Sequence, residues 1–198
     1  MADQLATPAD LASFLQLGAY ASLTPTRQAT LTMLVELATA KVQRAAGYQR
    51  ILAATSIGAM IDLSIGYDDD YVLLPQQPVR SVASVALNGV AITDWVLSGG
   101  MLWRARGWYP ATYVPGQIIT TFSHGLLAGD QGLQLARSTV LELSRGGYGN
   151  PTGATSKAID DYRVTYAEAD ARMVLPRPTA DAIAAQYGTQ AYVSVSRA

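Results

Sequence analysis

The chain has no cysteine and a single histidine, His124. The first absence excludes disulfides and thiolate metal sites and leaves a reducing compartment permitted. The second means that any Ser-His-acid triad has to use His124. Charge is scarce too: only 15% of the 198 residues are charged, and the 14 Lys and Arg nearly balance the 15 Asp and Glu. A net charge of −1 and a pI near 5.7 argue against a dedicated nucleic-acid binder. Such a binder needs a basic patch to displace phosphate counterions. No stretch approaches the roughly 18 uninterrupted apolar residues of a membrane span. The opening MADQLATPAD lacks the basic-then-apolar layout of a secretory signal, so a soluble intracellular protein is expected. What the chain does have is apolar content, 49%, enough for one ordinary core and little for a second. The expected organisation is one compact domain, 1–188, followed by a C-terminal arm, 189–198.

Two threonine-proline pairs mark helix starts. Thr7 can cap free backbone N–H groups, Pro8 suits the first helical position, and Asp10 sits near the positive end of the helix dipole. The same device at Thr24-Pro25 opens a much longer helix that should stop at Gly47. Along it, Leu31, Leu34, Val35, Ala38, Val42, Ala45 and Ala46 follow the spacing of one buried face. Met33 and Leu37 lie on a different side, one turn apart, beside Glu36 and Arg44. Such an apolar pair is either scattered surface or a subunit contact. A third helix is expected from Leu133 through Gly149, and a short one from Thr179 to Tyr187 with Gly188 as its stop.

Between residues 50 and 125 the helical period gives way to alternating β-branched and polar residues, with Gly, Pro and Asp as punctuation. Strands are expected at Tyr71–Leu74, Val79–Leu87, Val90–Leu97 and Gln117–His124. Asn88-Gly89 supplies the positive φ angles of a tight hairpin turn. The run Gly99 to Gly116, GGMLWRARGWYPATYVPG, is long and aromatic for a connection. It is either an interaction loop or a longer hairpin whose Trp103, Trp108 and Tyr109 cover the sheet. Trp103, Arg104, Arg106, Trp108 and Tyr109 are residue types enriched at protein interfaces, which makes them candidates for contact with another chain.

Catalytic motifs fail on chemistry. Thr121-Phe122-Ser123-His124-Gly125 lacks the first glycine of a nucleophile elbow. Ser123 and His124 are neighbours on a strand, so their side chains point to opposite faces. His124 is expected to be hydrogen-bonded or solvent-facing at a strand end. Gly146-Gly147-Tyr148-Gly149 ends a helix, where an anion would meet carbonyls, so a flexible helix terminus is expected rather than a phosphate loop. Asp68-Asp69-Asp70 lacks the spacing of a calcium loop and reads as a solvated turn, as does Asp160-Asp161. No catalytic, cofactor or metal residue is assigned.

The most specific segment runs from Leu133 to Tyr166: an apolar helix ending in Tyr148-Gly149, the turn Asn150-Pro151-Thr152-Gly153, a polar spacer, and a strand Asp161-Tyr162-Arg163-Val164-Thr165-Tyr166. Upstream come Ala6-Thr7-Pro8-Ala9-Asp10-Leu11, then Leu37 to Gly47, then Leu74-Pro75-Gln76-Gln77-Pro78-Val79-Arg80-Ser81-Val82 with Leu87-Asn88-Gly89, then Ile119 to Gly125. In this order the pieces resemble the head–tail connector (adaptor) proteins of long-tailed bacteriophages, over residues 6 to 166. Asp160 stands where the family pattern usually has glycine. The resemblance implies an α+β subunit, three to four helices around a small antiparallel β-sheet, with an extended loop and a C-terminal arm. It further implies a virion structural protein of the neck, assembled in the host cytoplasm as a ring of about twelve copies. The implied partners are the portal protein above and a stopper or tail-completion protein below. Genomic DNA would pass through the lumen without specific binding, and no cofactor, reaction or membrane is implied. Competing readings are another neck or tail-completion protein, and a small hydrolase or ligand-binding protein with a site in the aromatic loop.

The arm alternates apolar and polar residues at period two through Ala191-Tyr192-Val193-Ser194-Val195-Ser196. Ten extended residues reach about 33 Å, at roughly 3.3 Å each, far enough to pair with a strand of another chain. Tyr192, Val193 and Val195 are therefore the candidate portal-binding residues, connector relatives often being attached to the portal through a terminal segment. The alternative is a frayed terminus.

Overall fold

The computed structural model describes residues 4–64, 69–108, 115–150, 156–159, 162–165 and 173–188. The fold class is α+β, and its contacts gather into two compact units. One is helical, Met1–Tyr48 with Gly129–Gly188; the other is built on Gln49–Ala128 and carries two sheets.

In the helical unit, α1 (Pro8–Phe14) begins as its sequence dictates. The Asp10 amide donates to Thr7 Oγ1 at 3.0 Å and the Thr7 amide donates to Asp10 Oδ2 at 2.9 Å, a reciprocal capping box. Arg137, from α3 (Gln134–Gly149), reaches the same carboxylate at 2.8 Å. Partial burial pushes the Asp10 carboxyl up, but the Thr7 hydrogen bonds and the Arg137 charge outweigh it and hold the group below the usual carboxylate range.

The long helix α2 (Pro25–Ala45) opens differently from α1. Thr24 is extended and Pro25 takes the first helical position, but the Thr24 side chain makes no capping bond. Gln28 does the anchoring instead, donating from Nε2 to the carbonyls of Tyr20 and Leu23 at 3.0 and 3.2 Å. This ties the first turn to the 3₁₀ turn Tyr20–Ser22. At the other end the Gly47 amide donates to Arg44 and the Tyr48 amide to Gln43, at 3.1 and 2.8 Å. That paired bond pattern is a Schellman stop, with Gly47 at φ +69° supplying the left-handed turn.

Leu31, Leu34, Val35, Ala38 and Val42 are buried along α2, and Ala46 just past it; Ala45 is half-buried. Each large member of such a stripe contributes roughly 1.5–3 kcal/mol by leaving water. On α3 the buried face is Ala136, Thr139, Val140, Leu143, Ser144 and Gly147, again at helical spacing. The Ser144 hydroxyl donates to the Leu34 carbonyl at 3.3 Å.

The glycines that end α3 are helical rather than a loosened terminus, and Gly147 has a packing reason. A Cβ there would lie 2.5 Å from Met173 Sδ and 2.8 Å from Leu34 Cδ2, so any larger residue has to displace the ends of both side chains. The fourth helix, α4 (Arg177–Tyr187), starts two residues before the expected Thr179. Pro178 in its first turn suits that earlier start, and no side chain caps it. Ile183 and Tyr187 are its buried residues, and the Tyr187 hydroxyl donates to the Gly132 carbonyl.

After α3, Asn150 is buried; Pro151 to Gly153 and the pair Asp160-Asp161 lie outside the described residues. The expected polar spacer contains a strand. Ser156–Ile159 pairs antiparallel with Tyr162–Thr165, within the expected strand, with Ile159 opposite Tyr162.

In the second unit the four-stranded antiparallel sheet has the order β1 (Ala54–Leu63), β7 (Gly116–His124), β3 (Val79–Leu87), β4 (Val90–Ala91). A three-stranded sheet has the order β2 (Tyr71–Leu73), β6 (Met101–Trp103), β5 (Val96–Ser98). The Asn88-Gly89 turn is present, with φ +51° and +81°. The strand expected from Val90 to Leu97 is broken. After Ala91 the Ile92 amide still reaches the Val85 carbonyl at 3.0 Å, Trp95 Nε1 donates back to the Ile92 carbonyl at 3.1 Å, and the chain resumes at Val96 in the other sheet. Leu63, Val85, Ile118 and Phe122 of the larger sheet share one core with Val72 and Leu102 of the smaller, joined by Leu74 and Trp108.

Gly147 and Gly149 give a paired test. Gly147→Val should destabilise the protein by about 1–3 kcal/mol through overpacking. Gly149→Ala, which meets open space, should leave the thermal melt unchanged or raise it slightly. Equal melts for the two variants would contradict the packing role of Gly147.

Candidate interaction surfaces

Residues that could contact another chain fall in three places. On α2, Met33 is 54% and Leu37 46% exposed. With the exposed Ala29, Ala40 and Arg44 they form one stripe at spacings of three and four, and exposed Glu36 lies beside it. The helix thus has two apolar sides, and among the described residues one of them is packed and the other exposed.

The described part of the aromatic run, up to Trp108, is largely absorbed by its own unit. Gly99 and Gly100 make a turn, Met101–Trp103 pairs with both neighbouring strands, and the run is a hairpin this far. Trp108 is fully buried, and its Nε1 donates to the Asp70 carbonyl at 3.0 Å. It is a core residue, so the expectation that it meets another chain is corrected: an indole with no accessible surface offers nothing to a partner. Trp103 is half-buried. Arg104 is committed inward, with Nε on Asp94 Oδ1 at 3.0 Å and its guanidinium 5.9 Å from the Trp108 ring. The Arg104 hydrogen bond, aided by its charge, holds the exposed Asp94 carboxyl below the usual range. Arg106 remains exposed. Tyr109 lies outside the described residues, as do Tyr192, Val193 and Val195 of the arm.

The third place had no counterpart in the sequence reading. On the outer face of the four-stranded sheet, Met60 pairs with Ile119, Ile119 with Ala86, and Ala86 with Ala91, so one apolar row crosses all four strands. Met60 is 66% exposed, and Ile57, beside a bulge at Gly58 (φ +62°), is 83% exposed. Polar rows flank it: Asp62 opposite Gln117 on one side, Thr121 opposite Ser84 on the other. Period-two alternation in β7 signals this face, but the cross-strand row needs the register of three separate pairings.

His124 is fully buried, and its Nε2 lies 3.0 Å from Ser56 Oγ, while Ser123 faces the other way and lies 3.2 Å from Thr55 Oγ1. The adjacent serine and histidine therefore do not pair, as strand geometry requires. The exposed Asp69 and Asp70 serve through their backbone carbonyls, which accept from Trp108 and Arg104. Asp68 lies outside the described residues. Among the described residues no three His, Cys, Asp or Glu side chains gather as metal ligands would, and no helix is long and apolar enough to cross a membrane. A shallow cleft of about 140 Å³ lies against α3, lined by Glu142, Arg145, Val174 and Pro176 among others.

Core and surface residues of the aromatic run separate experimentally. Trp108→Ala should cost about 3–5 kcal/mol, and Arg106→Ala should stay within about 0.5 kcal/mol of the parent in the same denaturant titration. A tolerated Trp108→Ala would return that residue to the surface.

No protein-family model matches the chain, and no curated protein matches it. Solved structures do match. A chain in the neck of an empty gene transfer agent (GTA) particle, computed with C6 symmetry, superposes with a TM-score of 0.60 at 17% identity, over 98% of this chain and 94% of that one. A chain in the virion of a native GTA particle superposes with a TM-score of 0.57, also at 17% identity and over the same shares. At this identity the likeness is one of fold, and it extends over nearly the whole length of both chains.

Proposed function

We propose that this chain is a virion structural protein of a phage-type neck, with a structural rather than an enzymatic role. The observation that carries the reading is the fold it shares, end to end, with a chain in a GTA neck. The connector-like order of motifs from residue 6 to 166 supports the same role from the amino-acid sequence alone.

Within the neck, the finer proposal is the adaptor position. The chain docks beneath the portal protein, forms a ring of about twelve copies, and receives a stopper or tail-completion protein below. Genomic DNA passes through its lumen without specific binding, and assembly takes place in the host cytoplasm. Sixfold symmetry, used for the similar neck, divides rings of six and twelve alike, so the copy number is a quantity to measure. The ring contact uses the exposed α2 stripe of Met33, Leu37 and Arg44, an apolar pair with a charge to fix register. Exposed Arg106, with the half-buried Trp103 and with Tyr109, is the proposed second contact, toward a neighbouring subunit or the next connector protein; Arg104 is instead held by Asp94 and the Trp108 ring. The arm, residues 189–198, pairs with the portal through Tyr192, Val193 and Val195. A different neck or tail-completion component is the second reading, since a shared fold places no constraint on position within the neck.

Light scattering of the purified chain with portal protein tests the adaptor position, which requires a complex of ring mass. Met33→Glu with Leu37→Glu should abolish that complex while the monomer keeps its melt, because both side chains are exposed in the subunit. Rings from the double variant would remove α2 from the contact. Truncation after Gly188 should leave a folded subunit whose portal affinity falls at least tenfold; unchanged affinity would reject the role of the arm.

A further inference from the structure

A closed ring of more than two copies is built from head-to-tail contacts, in which each subunit offers two different, mutually complementary surfaces. The α2 stripe supplies one, and it needs an apolar surface on the neighbouring copy to receive it. Among the exposed large apolar side chains of the described residues, only two pairs share an element: Met33 with Leu37 on α2, and Ile57 with Met60 on β1. The second pair borders the apolar row Met60–Ile119–Ala86–Ala91. The solvent face of an antiparallel sheet is ordinarily polar, so a continuous apolar row there calls for a covering layer.

Resting on the ring reading, we propose that the α2 stripe of one copy packs on the outer face of the four-stranded sheet of the next copy. A helix over a sheet is the ordinary way to bury two such surfaces. Shape and charge agree with it. If α2 lies along the strands with Leu37 over Met60 and Ile119, Met33 falls about 6 Å away along the helix axis. Ile57 and Thr121 lie a comparable distance along the sheet, about 7 Å for two residues. In the opposite direction Arg44 is about 10 Å beyond Leu37, while Asp62 is about 7 Å beyond Met60, and the arginine side chain spans the difference. Asp62 is exposed and borders the apolar row, so its carboxylate faces the one strong positive charge at the end of the stripe. Ala29 and Ala40 on the helix and Ala86 and Ala91 on the sheet keep both surfaces low enough for close approach.

The absence of cysteine makes the pairing directly testable. Leu37→Cys and Met60→Cys placed in one chain, assembled and mildly oxidised, should give a ladder of covalent oligomers rising to the ring number on a denaturing gel. Each single variant should stay monomeric there. Rings that assemble without a ladder, or Leu37→Cys alone giving dimers, would overturn the helix-on-sheet pairing while leaving the ring intact. A parent chain that forms no ring with portal would remove the ring reading and the pairing with it. As an independent arm, Arg44→Asp should lower ring yield at least tenfold and Arg44→Asp with Asp62→Arg should restore it; a double variant no better than the single one contradicts the pairing.

Discussion

The buried stripe of α2 is the constraint on which the helical unit depends. Leu31, Leu34, Val35, Ala38 and Val42 keep one face of a 21-residue helix out of water, and α1, α3 and α4 all pack against that helix. The close approach of Gly147 to Leu34 and the bond from Ser144 to the Leu34 carbonyl fix where α3 sits on it. The Asp10–Arg137 ion pair then ties the capped start of α1 to α3. Because a single face satisfies all three neighbours, the opposite face is left apolar and exposed at Met33 and Leu37. A helix apolar on two sides is suited to the middle of a structure, and among the described residues one of those sides is covered.

The sheet unit follows a related logic. Its inner face is filled by Phe122, Ile118, Val85 and Leu63 against Val72, Leu102 and Trp108, and the indole of Trp108 is held by the Asp70 carbonyl. Burial of that size leaves Arg104 with a local task, bridging Asp94 and the indole ring. The outer face carries Met60 and Ile119 in a row that the inner core has no use for. Both units thus satisfy their own cores and present apolar surface beyond them.

How much of this was legible beforehand depended on how local each determinant is. Thr7, Pro8 and Asp10 announce α1 because a capping box is written in four consecutive residues. The buried stripe of α2, its stop at Gly47, and the Asn88-Gly89 hairpin are local in the same sense. The failures are non-local. Thr24 resembles Thr7 in sequence, but Gln28 took over the anchoring because Tyr20 and Leu23 lie within its reach. The strand beginning at Val90 changed sheets at Ile92, which depends on Val85 and on the indole of Trp95. Trp108 looked like interface material because aromatic residues serve cores and interfaces equally, and only tertiary packing separates the two. The apolar row on the outer sheet face depends on the register of four strands, which no window of sequence contains.

In the proposed role this chain is a subunit of a particle neck. Electron cryomicroscopy of intact particles carrying it tests that most directly, through the density between head and tail. The proposed role requires a closed ring into which this fold builds, with copies meeting through the exposed side of α2. A particle whose neck contains no density of this fold, or a ring in which Met33 and Leu37 of α2 face solvent in every copy, would contradict it.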